Sequence, residues 1–245
     1  MKVLAMYNIK GGVGKTTTAV NLAYLAAREG QRTLLWDLDP QAAATFLFRV
    51  RPRVKGGSRA LLTRGRPLAA ALKETDFEGL DLLPADFSYR NMDLELDDTK
   101  KRTRKLGQLI STLSGDYDMV FLDCPPSISL VSENVMRASD LLVVPLIPAT
   151  LSLRTLDQLT GFVADAGGNQ PQVKAFFSMA DRRKRLHRQV IATLSADHPH
   201  VARTIVPALS IIEQMAERRA PVPAFAPRSR AAICYEQLWA EIRPT

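Results

Sequence analysis

The segment Lys10-Gly11-Gly12-Val13-Gly14-Lys15-Thr16-Thr17 follows a short apolar run, Val3-Leu4-Ala5-Met6-Tyr7, and opens a stretch of helical period over 17–28. That order of strand, glycine turn and helix constrains the fold more than any other feature of the chain. Glycines let the backbone curl so that successive N–H groups and the start of a helix converge on one point, where an anion is favoured. A phosphate group meets that requirement. Lys15 then reaches the β- and γ-phosphates of a nucleotide, and the Thr16 hydroxyl holds Mg²⁺. Gly11, Gly12, Val13, Gly14, Lys15, Thr16 and Thr17 are the expected nucleotide-binding residues. The general pattern G-x-x-x-x-G-K-[ST] has glycine where this chain has Ile9, and a second lysine, Lys10, precedes the paired glycines.

With 245 residues, 46% of them hydrophobic, the chain can bury one substantial core, so a single domain over 1–245 is expected. No run approaches the roughly 18 apolar residues that a membrane span needs. A strand begins within a few residues of Met1 and no signal-peptide pattern precedes it, which points to the cytoplasm. Cys124 and Cys234 lack C-x-x-C spacing and suggest neither a disulfide framework nor a zinc site. His187, His198 and His200 do not make a metal site; His198-Pro199-His200 reads as a solvated loop. The net charge of +8 and pI near 9.7 suit a polyanionic partner, most simply nucleic acid.

Apolar runs alternate with helical patterns, the rhythm of an α/β chain with a mostly parallel central sheet flanked by helices on both faces. Strands are predicted at 2–8, 33–37, 80–84, 119–123, 141–146, 173–179 and 203–206. Helices are predicted at 16–29 (stopped by Gly30), 101–113 (stopped near Gly115), 132–138, 153–166 (ended by Gly167-Gly168), 186–196, 210–218 and 230–242. The arginine-rich stretch 49–66 is the one irregular segment of any length.

Ligands of open α/β sheets sit beyond the carboxyl ends of the strands, so loops after different strands share a site. Besides the glycine loop, two such loops carry acids: Asp37-Leu38-Asp39-Pro40-Gln41 and Asp123-Cys124-Pro125-Pro126. A carboxylate at the end of a buried strand needs a cation, and Mg²⁺ supplies one, so Asp123 is expected to hold the metal directly or through water. Hydrolysis of a nucleotide also needs a water in line with the γ-phosphorus, and a carboxylate can orient it and take its proton.

The string Lys10-Gly11-Gly12-Val13-Gly14-Lys15-Thr16 resembles the deviant phosphate loop, K-G-G-x-G-K-T, of the ParA/MinD family of ATPases. The resemblance implies ATP and Mg²⁺ as cofactors and a P-loop NTPase fold. It also implies an ATP-dependent homodimer in which Lys10 crosses to the partner's nucleotide. Asp37-Leu38-Asp39-Pro40-Gln41 resembles the family's first switch. The likeness gives Asp39 a catalytic and metal-side role and leaves Asp37 as a supporting Mg²⁺-side acid. Asp123-Cys124-Pro125-Pro126 resembles the second switch. Phe176-Phe177-Ser178-Met179-Ala180-Asp181-Arg182 and Arg203-Thr204-Ile205-Val206-Pro207 resemble the adenine-side segments, which implies base contacts from Met179 and Pro207. Pro227-Arg228-Ser229-Arg230-Ala231-Ala232 matches the start of the family's final helix. Stretch 49–73 has no counterpart, and Ala224 stands where some relatives carry a basic residue.

Arg182-Arg183-Lys184-Arg185 concentrates cations at a helix start, where the dipole disfavours them, so an anion is expected nearby. By resemblance to partition ATPases, Arg203 is a DNA-contacting position; Arg182, Arg183, Arg185 and Arg219 complete the expected DNA-binding set. Such contacts give sequence-independent, salt-sensitive binding to the nucleoid. The run Lys100–Lys105 follows Asp93, Glu95, Asp97 and Asp98, and local pairing accounts for it. Pro244 ends the last helix without a basic amphipathic extension, so membrane attachment of the MinD type is not expected. By resemblance an adaptor protein stimulates hydrolysis. Two enzymatic rivals share this loop type. The amidating enzymes of corrin synthesis are expected to need a further glutaminase portion, and iron–sulfur carriers need paired cysteines.

Overall fold

The computed structural model describes residues 1–62, 68–165, 170–198 and 200–244. Eight strands make one sheet: β1 (Lys2–Met6), β2 (Thr33–Asp37), β3 (Lys73–Glu74), β4 (Leu80–Leu83), β5 (Met119–Asp123), β6 (Leu141–Leu146), β7 (Gln172–Ala180) and β8 (Val201–Pro207). Their order is β3-β4-β2-β5-β1-β6-β7-β8. Every pairing is parallel except the two-residue β3 against β4. The helices are α1 (Lys15–Arg28), α2 (Ala43–Leu47), α3 (Gly57–Leu62), α4 (Met92–Asp97), α5 (Lys105–Ser111), α6 (Leu130–Ala138), α7 (Thr150–Asp165), α8 (Arg185–Asp197), α9 (Ser210–Arg218), α10 (Val222–Phe225) and α11 (Arg230–Ile242).

The near-continuous apolar strands are buried on both faces, as a parallel sheet covered by helices requires. Alternate residues divide between two cores. Leu4, Met6, Leu35, Phe121, Val143 and Phe176 pack with α1 and α11, while Val3, Ala5, Trp36, Leu122 and Val144 pack with α4 to α8 on the other side. Full burial of each Leu, Val, Met or Phe among them contributes about 1.5–3 kcal/mol. Gly30, at φ 88, turns the chain out of α1, and its N–H donates to the Ala27 carbonyl at 2.8 Å.

The expected strands are present, with differences at their ends. The first stops at Met6, because Tyr7 and Asn8 turn into the glycine loop. The edge strand β8 carries two extra residues opposite β7 between Val201 and Ile205. The N–H groups of Arg203 and Thr204 in that bulge donate to the Glu241 carboxylate of α11, at 2.7 and 3.0 Å. The helix expected at 101–113 is cut to Lys105–Ser111. Asn134 takes over its first turn, donating to the Arg102 carbonyl and accepting from the Leu106 N–H. Arg102 pairs with Asp97 at 2.8 Å, the local pairing expected there. The stretch 49–66 is not wholly irregular, since it contains α3; its residues 63–66, the helix stop Gly167-Gly168 and Pro199 lie outside the described residues. Among the described residues no helix is long and apolar enough to cross a membrane.

Candidate functional site

The glycine loop leaves β1 at the carboxyl edge of the sheet, and three side-chain bonds fix its path. The Tyr7 hydroxyl donates to the Ser127 carbonyl at 2.8 Å, and Asn8 Nδ2 donates to the Pro145 carbonyl at 2.8 Å. Asn8 Oδ1 accepts from the Lys10 N–H at 2.9 Å. Buried Asn8 thus joins the loop to the end of β6, a role its position in the sequence does not signal. Gly12 and Gly14 have φ of 68 and 94. At Gly14 a side chain is excluded twice, because a Cβ would also lie 2.9 Å from Ser178 Oγ of β7.

Lys15 begins α1 and is buried, with Nζ donating to the Lys10 carbonyl at 3.2 Å. Burial pushes its ammonium below the ordinary lysine range, while Asp123, Cys124 and Asp39 pull it back. Lys10, Gly11 and Gly12 stand exposed at the tip of the loop, Val13 is buried beneath, and Thr16 and Thr17 are half-buried.

The two acidic loops meet the glycine loop because of strand register. Asp37 of β2 and Asp123 of β5 are lateral neighbours, and Met6 is level with Asp123 on its other side. Neighbours in register point to one face, here the α1 face, so both carboxylates lie under the start of α1. The Leu38 N–H donates to the Asp123 carbonyl at 3.0 Å, which stitches the two loops together.

The environments of the two acids differ. Asp37 Oδ2 accepts from the Thr45 N–H and hydroxyl at 2.8 and 2.7 Å, and Oδ1 accepts from the Asp39 N–H at 3.2 Å. Burial pushes Asp37 up to about 6 despite those bonds. Its oxygens therefore hold α2 and the Asp39 backbone, rather than serving the Mg²⁺ side as the resemblance implied. Asp123 is buried, and neither carboxylate oxygen has a partner of good hydrogen-bond geometry, although the Thr16 hydroxyl lies near enough to act on it. Burial first, then Asp37, raises it well above the carboxylate range; the Thr16 hydroxyl and Lys15 act in the opposite sense. A buried, unpaired carboxylate is costly, and one lysine does not balance the acids around it. This orphaned pair of oxygens beside Thr16 is what a Mg²⁺ site would leave when described without its ion. Among the described residues no group of three or more His, Cys, Asp or Glu could hold a metal. The donor set instead fits Mg²⁺ held by one or two protein oxygens, phosphate and water.

Asp39 is half-buried; one of its oxygens accepts from the Gln41 N–H at 2.9 Å and closes its own turn. Its charge is felt by Lys15, Asp37 and Asp123, so the Asp39 turn lies near the other two loops. Cys124 points to the opposite core, buried, with burial pushing its thiol up, which leaves no nucleophile there.

Beside the loop, a cavity of about 170 Å³ is lined by Gly14, Thr17, Met179, Pro207, Leu209 and Tyr235, among others. Met179 and Pro207, expected beside a base, do share this space with the end of the glycine loop. Met179 has φ 53, so β7 turns sharply there.

The five expected DNA contacts do not form one cluster of free cations. Arg182 and Arg185 are exposed beyond β7 and at the start of α8, and Arg182 shares with Arg230 an influence on the Cys234 thiol. Arg183 is held by Asp181 through Nε and Nη2, both at 3.0 Å, and holds that carboxyl down to about 2. His187 is a buried loop brace whose Nδ1 accepts from the Asp181 N–H. Arg203 is exposed on β8, several residues short of the rim where Arg182 sits. Arg219 folds onto α2, its guanidinium 4.5 Å from the Phe46 ring centre and its Nε 2.9 Å from the Phe46 carbonyl.

Comparison with known proteins agrees with this geometry. The AAA domain family model matches residues 1–214. The chromosome partitioning protein ParA of Caulobacter vibrioides is 36% identical over 203 residues, covering 80% of this chain and 76% of the relative. The sporulation initiation inhibitor protein Soj of Bacillus subtilis is 32% identical over 247 residues, 98% of both chains. Among solved structures, a cobyrinic acid a,c-diamide synthase from Mycobacterium smegmatis, with bound ATP analogue and magnesium, superposes with TM-score 0.80 at 28% identity, over 98% of this chain and 93% of that one. A plasmid partition protein of Borrelia burgdorferi bound to AMPPNP gives TM-score 0.85 at 22% identity, over 98% and 97%. The synthase chain is close in length to this one, so the expectation that such an enzyme would be separated by a missing glutaminase portion does not hold.

Proposed function

The chain belongs to the ParA/MinD family of ATPases, within the ParA/Soj group that partitions chromosomes and plasmids, and from that premise we propose that it is a Mg²⁺-dependent ATP hydrolase whose nucleotide state switches non-specific DNA binding. The whole chain acts as one unit in the cytoplasm, dimerises on ATP, holds the nucleoid through exposed arginines, and responds to an adaptor that stimulates hydrolysis. The observation that carries the reading is Asp123, buried and unpaired beside Lys15 and Thr16 at the mouth of a glycine loop.

In this reading the loop N–H groups bind phosphate oxygens, and Lys15 exchanges the Lys10 carbonyl for the β- and γ-phosphates. Thr16 and Asp123 hold Mg²⁺, which when bound offsets charge on the phosphate oxygens. Asp39 orients the attacking water and accepts its proton. Met179 and Pro207 border the base, and Lys10, exposed at the loop tip, reaches the partner's nucleotide. Arg182, Arg185 and Arg203 contact DNA phosphates.

The test is DNA affinity at matched salt with ATP and with ADP. Wild type binds more tightly with ATP. Lys15→Ala loses nucleotide binding, Asp39→Ala keeps binding and dimerisation but stops turnover, and Lys10→Ala weakens dimerisation more than monomeric binding. Equal affinity in the two nucleotide states would overturn the switch.

A further inference from the structure

Three residues other than glycine adopt left-handed backbone around one short helix and its neighbour: Ala42 at φ 58, Arg49 at φ 60 and Arg219 at φ 51. Ala42 caps the start of α2, Arg49 lies just past its end, and Arg219 ends α9. Left-handed backbone is unfavourable for residues with a Cβ and persists only where surrounding contacts impose it. The contacts here join one helix to the other. Arg219 lies over the Phe46 ring and donates to the Phe46 carbonyl, while Arg49 donates to the Arg218 carbonyl at 3.0 Å and pairs with Asp76 at 2.7 Å.

The other side of α2 faces the acidic turn after β2. Thr45, the residue before Phe46, is bonded twice to Asp37, and the Ala42 N–H donates to the Asp39 carbonyl at 2.8 Å. One five-residue helix therefore touches the Asp39 turn on its inner side and the end of α9 on its outer side.

We propose that Arg219 is a positioning residue, not a DNA contact: through Phe46 it ties the Asp39 turn to α9, so that the turn's response to the γ-phosphate moves the exposed Arg218 end of that helix. The proposal deepens the nucleotide-switch reading given above and depends on it for the link to DNA. Its structural part stands separately. α9 also lines the cavity beside Met179, through Ile212 and Glu213. ADP and ATP share their adenosine half, so that direct contact cancels when the two states are compared.

The experiment is hydrogen exchange of α9 with Mg²⁺–ADP against Mg²⁺–AMPPNP, in wild type, Phe46→Leu and Arg219→Gly. Leucine keeps apolar volume at position 46, and glycine suits the left-handed backbone at 219, so both variants retain the fold. In wild type, α9 exchange differs between the two states by about fivefold or more, the scale of a surface cation–π contact with one hydrogen bond. In both variants that difference vanishes, while the phosphate loop is still protected by either nucleotide. A difference that persists in the variants, or is absent from wild type, overturns the relay. A second readout separates the relay from a DNA contact. Loss of a phosphate contact lowers the salt slope by about 1 in both nucleotide states, whereas loss of the relay leaves the slope and lowers only the ATP-to-ADP affinity ratio. If α9 responds but DNA affinity does not depend on nucleotide, the switch reading fails and the relay remains.

Discussion

Replacing Gly14 by alanine tests the contact between the phosphate loop and β7. Two separable effects are expected. The backbone there has φ 94 and ψ 25, and a left-handed conformation costs a residue with a Cβ about 1–2 kcal/mol. The new Cβ also lies 2.9 Å from Ser178 Oγ, closer than packed atoms tolerate, and overpacking of this kind costs about 1–3 kcal/mol. Together Gly14→Ala should destabilise by about 2–5 kcal/mol, a fall of about 4–20 °C in melting temperature at about 2–4 °C per kcal/mol for a chain of this size. Removing the hydroxyl with Ser178→Ala separates the two. The double variant should recover the overpacking part and keep the backbone part, giving a coupling energy of about 1–3 kcal/mol in the cycle. Strict additivity, or a Gly14→Ala protein as stable as wild type, would refute the placement of β7 against the loop. The cavity beside Met179 would lose its basis with it.

Two further changes address charge. Asp123→Asn keeps the shape of the side chain but removes the charge that would hold the metal, so Mg²⁺ should no longer add to stabilisation by nucleotide; thermal melting with nucleotide, in the presence and absence of Mg²⁺, checks this, and an undiminished Mg²⁺ effect contradicts the reading. Arg32 chelates Asp118 through Nε and Nη2 and holds that carboxyl down to about 2. A depressed acid stabilises the fold above its unfolded pKa and loses that contribution as pH falls through the folded one. The gap in urea midpoint between wild type and Arg32→Ala should therefore be constant above about pH 4 and close towards about pH 2; a gap that widens on acidification contradicts the pairing.

Much of the sheet and the acid–glycine convergence could be read from the sequence because both leave strong local signals. A buried parallel strand writes itself as a run of Val, Leu and Ile, and Asp37 and Asp123 end such runs. The short helices α2, α3, α4 and α10 were missed, since four to six residues show no period. Strand β3 has only Lys73 and Glu74, neither of which suggests a strand. The division of labour between Asp37 and Asp123 was illegible for a different reason: both are strand-end aspartates, and it is Thr45, eight residues on, together with the Asp39 N–H, that satisfies one and not the other. Asn8 and Ser178 are likewise defined by what they meet across the sheet. Charge alone could not distinguish Arg182, exposed, from Arg183, chelated by Asp181, or from Arg219, folded onto Phe46.

The bulge in β8 has a consequence for how copies of this chain can meet. An open border of a sheet offers unsatisfied amides to any passing strand and invites irreversible stacking. Here one border is two residues long, and on the other a carboxylate from the last helix occupies the amides that the irregularity frees. Backbone zippering is thereby discouraged at both margins, so copies of this chain that meet do so through side chains and loops.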